Sequence, residues 1–259
     1  MNNLAIDNNV YNKKNAVVYD FTTRKPMKKA EDNKYDGNRA GKSCEVYAFQ
    51  STNEIDSVIK VLDKHIEEAS DGTPKKIACR NKMLFIIGIN LALRASDLRT
   101  LTWDFFFEKM PDGTLRFRDS YNLRPRKTRR TGKYVKLHIN EAVKRVIEWY
   151  ISMYPIQNLS DFVFESRQGD DAISVKTMWR VIKGAAKEAG IQRPIGSHSM
   201  RKTACYWIYH NAPDKNHALV VLMNALNHSS TAVTARYIGI TDNEVADVFN
   251  GINLGIDMI

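Results

Sequence analysis

Two short stretches in the second half of the chain carry the side chains best suited to chemistry: GSHSMRKTACYW at 196–207 and LNHSSTAVTARYIGI at 226–240. Together they supply His198, Arg201, His228 and Tyr237. An arginine grips phosphate oxygens through a planar fork of donors. Histidines move protons near neutral pH. A tyrosine oxygen can become a covalent nucleophile. As a set, these groups suit attack on a phosphodiester by a side-chain oxygen.

Spacing adds geometry. His198 and Arg201 are three residues apart, so on a helix they share a face. Ser197 is an N-cap candidate, which puts the pair in a first helical turn, where free N–H groups and the positive end of the macrodipole favour a bound phosphate. His228 and Tyr237 are nine apart, with Ser229, Ser230 and Thr231 as cap candidates for a short helix carrying the tyrosine.

HSMR, then LNH, then a tyrosine nine residues after that histidine resembles the catalytic domain of tyrosine site-specific recombinases of the phage-integrase type. The resemblance runs from about residue 48 to 245 and implies two upstream members. NLALRASDLRTLTW at 90–103 offers Arg94. RPRKTRRTGKYVKL at 124–137 offers Lys127, in a KT pair, although Lys133 and Lys136 lie on the same expected hairpin. By resemblance, Arg94 and Arg201 hold the non-bridging oxygens and Lys127 protonates the leaving 5′ oxygen. His198 assists proton removal from Tyr237, His228 hydrogen-bonds the phosphate, and Tyr237 forms a 3′-phosphotyrosyl link. Metal, ATP and other cofactors are not implied. The implied function is cleavage and rejoining of double-stranded DNA for integration, excision, inversion or resolution. The implied assembly is a homo-oligomer, a tetramer on DNA. Alternatives are a type IB topoisomerase-like or hairpin-forming strand transferase, or a non-catalytic DNA-binding regulator of the same fold. The family pattern usually has Glu where this chain has Asp97 and Gly where it has Asn227. Many relatives also carry a helical DNA clamp in front, which residues 1–47 cannot make. Either this arm plays that part thinly, or an accessory DNA-binding protein or a tight array of protomers replaces it.

The surrounding elements must position these groups. Ser51 and Glu54 form a capping-box pattern before a helical period through Ile55, Val58, Ile59, Leu62, Ile66 and Ala69. After a loop at 71–76, residues 77–93 are apolar nearly all round and read as a buried central helix ended by Arg94, with Ser96 or Asp97 capping a short successor. WDFFFEKMPDGTLRFRD at 103–119 reads as a hairpin with Pro-Asp-Gly at its tip, and 122–139 as a second strand pair around Thr131-Gly132. From 116 to 136 there are nine Arg or Lys against one acid, Asp119. This places Arg124, Arg126, Arg129, Arg130 and Lys133 on a β-ribbon suited to DNA phosphates. Asn140, Ser174, Asp214 and a Thr241–Glu244 box start later helices, and Trp149, Tyr150 and Trp179 are expected in the core. The fold class is α+β, mainly helical, with a small antiparallel sheet; nothing alternates as a parallel sheet requires.

The chain has 259 residues, 43% of them hydrophobic, with a formal net charge of +10. That supports a packed domain and a polyanionic partner. Residues 1–47 read as a basic arm, mobile or loosely docked, and 48–259 as the catalytic domain with a C-terminal helix or tail from about 241. The cysteines, Cys44, Cys79 and Cys205, have neither disulfide nor zinc-site spacing, which fits a reducing cytoplasm; with DNA as the implied partner, the expected place is the nucleoid. No apolar run is long enough for a membrane span, and the first residues lack the apolar core of a signal peptide.

Overall fold

The computed structural model describes residues 45–124, 134–167 and 171–239. The 1–44 part of the basic arm, the tip of the second hairpin and the expected Thr241–Glu244 cap lie outside the described residues.

A central helix organises the rest. α1 (Thr52–Glu68) and α2 (Thr73–Asn90) are followed by the four-residue turn α3 (Ala95–Leu98). α2 buries Met83, Leu84, Phe85 and Ile87 and packs against α1, α4 (Glu141–Met153) and α6 (Ser197–Asn211). It begins earlier than the periodicity predicts, because Pro74 sits in its first turn, where a missing N–H costs nothing. It also ends earlier. The chain leaves α2 through Leu91 and Ala92, which holds the left-handed φ of 53°, before Arg94 opens α3. Neither Ser96 nor Asp97 caps that turn; Arg94 occupies the cap position. Gly88 lets α2 and α6 approach, since a Cβ there would overlap the Met200 thioether.

The other helices follow their caps. Ser51, Asn140 and Ser174 each accept from the backbone N–H three residues on, starting α1, α4 and α5 (Val175–Glu188). Asp214 and Ser230 do the same for α7 (Lys215–Leu226) and α8 (Thr231–Ile238). Glu54 does not close its box on Ser51; it accepts from Gln50 N and pairs with Arg193. Among the described residues the strands form two separate antiparallel ladders, not one sheet. β1 (Phe107–Lys109) pairs with β2 (Leu115–Phe117), and β3 (Ser120–Leu123) with β4 (Val135–His138). Trp103–Phe105, expected in the first hairpin, is a 3-10 turn. Trp149 is partly buried and Tyr150 buried, as expected, but Trp179 is 40% exposed, with Lys183 Nζ 4.7 Å from its ring centroid.

Two apolar clusters result. The larger runs from Phe49 to Met200 and takes in α1 to α6 and the strands. The smaller gathers Cys205, Leu222, Leu226 and Ile238 under α6, α7 and α8, with Tyr237 packed against it.

Candidate active site

Arg94, His198, Arg201, His228 and Tyr237 come from α3, α6, the α7–α8 turn and α8, and they meet. Each feels the charge of others in the set. Arg94 and Arg201 oppose each other, both act on His198 and His228, and both act on the Tyr237 phenol. Two guanidiniums that act on each other and on the same imidazoles and phenol form an electrostatic seat for an anion.

α6 starts at Gly196, not at the expected Ser197 cap. Gly196 N donates to Ser199 Oγ and Ser199 N donates to Gly196 O, both at 3.0 Å. A side chain at Gly196 would press on Val46 and Trp179, which fits the absence of a side-chain cap. His198 and Arg201 still lie in the first turn, as their spacing predicts. Thr203 locks the helix to the main core by accepting from Phe49 N and donating to Ser199 O, both at 2.8 Å. Arg201 is only 6% exposed. Arg94 reaches across to the end of α7, where Nη2 lies 3.5 Å from Leu226 O. Asp97, at the position where the family pattern has Glu, is 2% exposed, and its charge favours the Arg94 cation.

The other half of the site is set by a backbone turn. Asn227 closes α7 in the left-handed conformation, φ 56° and ψ 48°. Asparagine is among the few residues besides glycine that enter this region cheaply, which accounts for its standing where the family has Gly. His228 follows, and its Nδ1 lies 3.1 Å from Thr234 Oγ1. The Thr234 hydroxyl has Ser230 O as an acceptor of its own at 3.2 Å, the arrangement in which Nδ1 carries the proton and Nε2 is the acceptor of the neutral ring. The His228 and Tyr237 rings meet edge to face, centroids 5.2 Å apart at 73°.

Charge and burial tune these groups. Burial, then the charges of Arg201, Arg94 and Lys202, hold the His198 pKa below its ordinary value, although the residue keeps an exposed edge. Burial, then Arg201 and Arg94, do the same to His228. Both are therefore neutral imidazoles at pH 7 and able to accept a proton. Burial pushes the Tyr237 phenol up to about 12, and the opposing pull of Arg201 and Arg94 does not overcome it. The Tyr237 hydroxyl is buried, and although it faces Arg201, no hydrogen bond of ordinary geometry forms.

Of the expected DNA-contacting residues, Arg124 stands at the foot of the second hairpin, its guanidinium 5.9 Å from the Tyr134 ring centroid. Lys127, Arg126, Arg129, Arg130 and Lys133 lie outside the described residues. Part of the basic run serves the first hairpin itself, since Arg116 and Arg118 both bond Glu108. Sequence reasoning missed the support given by Asp97 and Thr234. The i, i+3 spacing of Asp97 from Arg94 was the available signal for the first; Thr234 had none.

A family model described as the phage integrase family matches residues 51–244. The probable integrase/recombinase YoeC of Bacillus subtilis (strain 168) is 32% identical over 176 residues, 67% of this chain and 86% of that one. The tyrosine recombinase XerD of Listeria monocytogenes (serotype 4b) is 30% identical over 90 residues, 35% of this chain and 29% of that one. Among solved structures, the XerH site-specific recombinase bound to its palindromic difH substrate, a post-cleavage complex, superposes with a TM-score of 0.56 at 18% identity. That match covers 81% of this chain and 52% of XerH. The XerA recombinase gives 0.55 at 17% identity, covering 82% and 66%. These two likenesses concern the fold. The chain thus spans about half of XerH and matches less than a third of XerD.

Proposed function

Since the chain belongs to the phage integrase family, the tyrosine recombinases, we propose that it cleaves and rejoins duplex DNA at specific sites through a covalent link between Tyr237 and a 3′ phosphate. The observation that carries this reading is that Arg94, His198, Arg201, His228 and Tyr237 of one protomer lie near enough for both arginines to act on both imidazoles and on the phenol.

The chemistry follows from charge. The scissile phosphate settles between Arg94 and Arg201, whose forks take its non-bridging oxygens. Such donors matter most as charge grows in the transition state, and losing one typically costs about 3 kcal/mol. Tyr237 Oη attacks phosphorus as the bond to the 5′ oxygen breaks. Its proton needs an acceptor, because burial keeps the phenol protonated. His198, held below its ordinary pKa by burial and by the same two arginines that act on the phenol, takes that proton. Lys127 gives a proton to the departing 5′ oxygen. His228 offers a phosphate oxygen a hydrogen bond from Nε2 only as an imidazolium, since Thr234 already occupies Nδ1. The arriving phosphate favours that form by offsetting the two arginines. The link keeps the energy of the broken bond, so a 5′ hydroxyl can reverse the step with neither metal nor nucleotide.

The basic ribbon, Arg124, Arg126, Arg129, Arg130 and Lys133, grips the flanking backbone, and several protomers assemble on the DNA. The test is a nicked suicide duplex built from repeats flanking the gene, incubated with protein and then denatured. A covalent adduct that survives EDTA and disappears in Tyr237→Phe is expected. A salt-sensitive shift without any adduct would leave only a DNA binder. Relaxation of any supercoiled plasmid without site preference would indicate topoisomerase chemistry.

A further inference from the structure

We propose that Lys202 is a positioning residue for Tyr237, holding the phenol ring in the attacking orientation by setting its ammonium against the ring face; this rests on the reading of Tyr237 as nucleophile.

Lys202 follows Arg201 directly, so the two leave α6 about 100° apart. Arg201 serves the phosphate seat, while Lys202 shares a helix face with His198, four residues before it. Its side chain is only 12% exposed, unusual for lysine, which is almost never buried without a partner. Two partners account for the burial. Nζ lies 3.4 Å from Glu45 Oε1 and 5.3 Å from the Tyr237 ring centroid. The second distance is within the reach of a cation–π contact, about 6 Å. The ammonium is thus held between a carboxylate and the nucleophile's own ring.

The ring needs such a hold. Its hydroxyl makes no ordinary hydrogen bond, and α8 rests on the smaller of the two clusters. Contacts to His228 on one side and Lys202 on another add to its packing on that cluster in fixing its plane. In-line attack is demanding, and a misplacement of about 1 Å can cost about 10²-fold. The contact also strengthens along the reaction. As the proton passes from Oη to the base and the Oη–P bond forms while the P–O5′ bond breaks, the ring passes through a more anionic state that a nearby cation attracts more strongly.

Single-turnover adduct formation on the nicked suicide duplex, at saturating full-length protein, tests this together with DNA affinity across a salt series. The variants are Lys202→Met, which keeps an unbranched apolar stem, and Lys202→Arg, which keeps the cation. A cation–π contact of ordinary strength with the attendant loss of alignment makes Lys202→Met about 10- to 100-fold slower at saturation. Its Kd and salt slope stay as in the parent, and Lys202→Arg recovers most of the rate. Three results overturn the proposal: Lys202→Met reacting at the parental rate, a loss confined to Kd with a shallower salt slope (a phosphate contact), or Lys202→Arg failing alongside Lys202→Met with an equally lowered Tm (packing only). If the parental protein itself gives no Tyr237 adduct, the nucleophile assignment falls first and the role of Lys202 falls with it.

Discussion

Arg94 and Arg201 grow out of α3 and α6, whose inner faces belong to the large cluster that includes Phe85, Leu98 and Met200. His228 and Tyr237 stand beyond it, in the α7–α8 turn and on α8, which close over Cys205, Leu222, Leu226 and Ile238. The halves also differ in exposure. Arg201 is 6% exposed, whereas α7 and α8 present Val220, Val221 and Val233 to solvent, each more than 40% exposed. An eight-residue helix such as α8 has little stability of its own. Under the proposed chemistry the contrast separates two duties. Donors that stabilise growing charge work best when they need not move. A nucleophile that must later surrender its phosphate benefits from a unit that can shift without unfolding the domain.

The largest expected effect is on chemistry, and it falls on both halves. Tyr237→Phe lowers adduct formation by at least about 10³-fold, and Arg94→Ala or Arg201→Ala by about 10²- to 10³-fold, with duplex affinity largely retained. Quenched adduct assays beside gel shifts measure both. An Arg201→Ala protein that cleaves at the parental rate would remove the arginine half from the site.

Stability separates the halves next. Phe85→Ala is expected to cost the whole domain about 3–5 kcal/mol, read as a lower denaturation midpoint. Leu222→Ala removes comparable apolar contact, but is expected to speed amide exchange in α7 and α8 with a much smaller change in the main transition. Equal losses in the main transition would mean that the two clusters unfold as one.

Tyr237→Phe has a second, opposite consequence. It deletes a buried hydroxyl that lacks a hydrogen bond, so the DNA-free protein should gain about 1 kcal/mol while losing its chemistry. The phenol also sets a pH dependence. Its folded pKa, about 12, lies above the ordinary value of 10. Its contribution is therefore fully present below pH 10 and is lost as pH rises from 10 towards 12. Alkaline melts should lose stability less steeply in Tyr237→Phe than in the parent; parallel curves would contradict the burial of this group. For His198 the sign reverses. Its imidazole should titrate below 6.5 by NMR in the free protein, and an ordinary or raised midpoint would mean that the arginines do not reach it.

The smallest effect concerns the hinge between α2 and Arg94. Ala92 sits at a φ of 53°, which costs an L-residue about 1–2 kcal/mol. Glycine avoids that cost but loses more freedom on folding, so Ala92→Gly should stabilise by no more than about 1 kcal/mol in thermal melts.

Much of this was legible because the signals were local. Asn140, Ser174 and Asp214 announce their helices by cap chemistry alone, and Pro111-Asp112-Gly113 announces the first hairpin. His198 and Arg201 share a turn because three residues separate them. The errors arose where tertiary packing overrode local preference. Ser197 is the better cap by type, but the closeness of Val46 and Trp179 to Gly196 favours glycine at the cap. Trp179 looks like core by type, yet stands at the surface beneath Lys183. The division into two clusters, the hold of Thr234 on His228 and that of Lys202 on Tyr237 depend on where helices cross, which periodicity does not encode.

The central claim is that Tyr237 is delivered to the arginines of its own chain. Mixing Arg201→Ala protein with Tyr237→Phe protein on the suicide duplex tests it most directly. If each protomer completes its own site, neither variant can rescue the other, and the mixture stays as inactive as its parts. Adduct formation restored in the mixture would show the tyrosine serving a neighbour's arginines and would contradict the grouping of these side chains within one protomer.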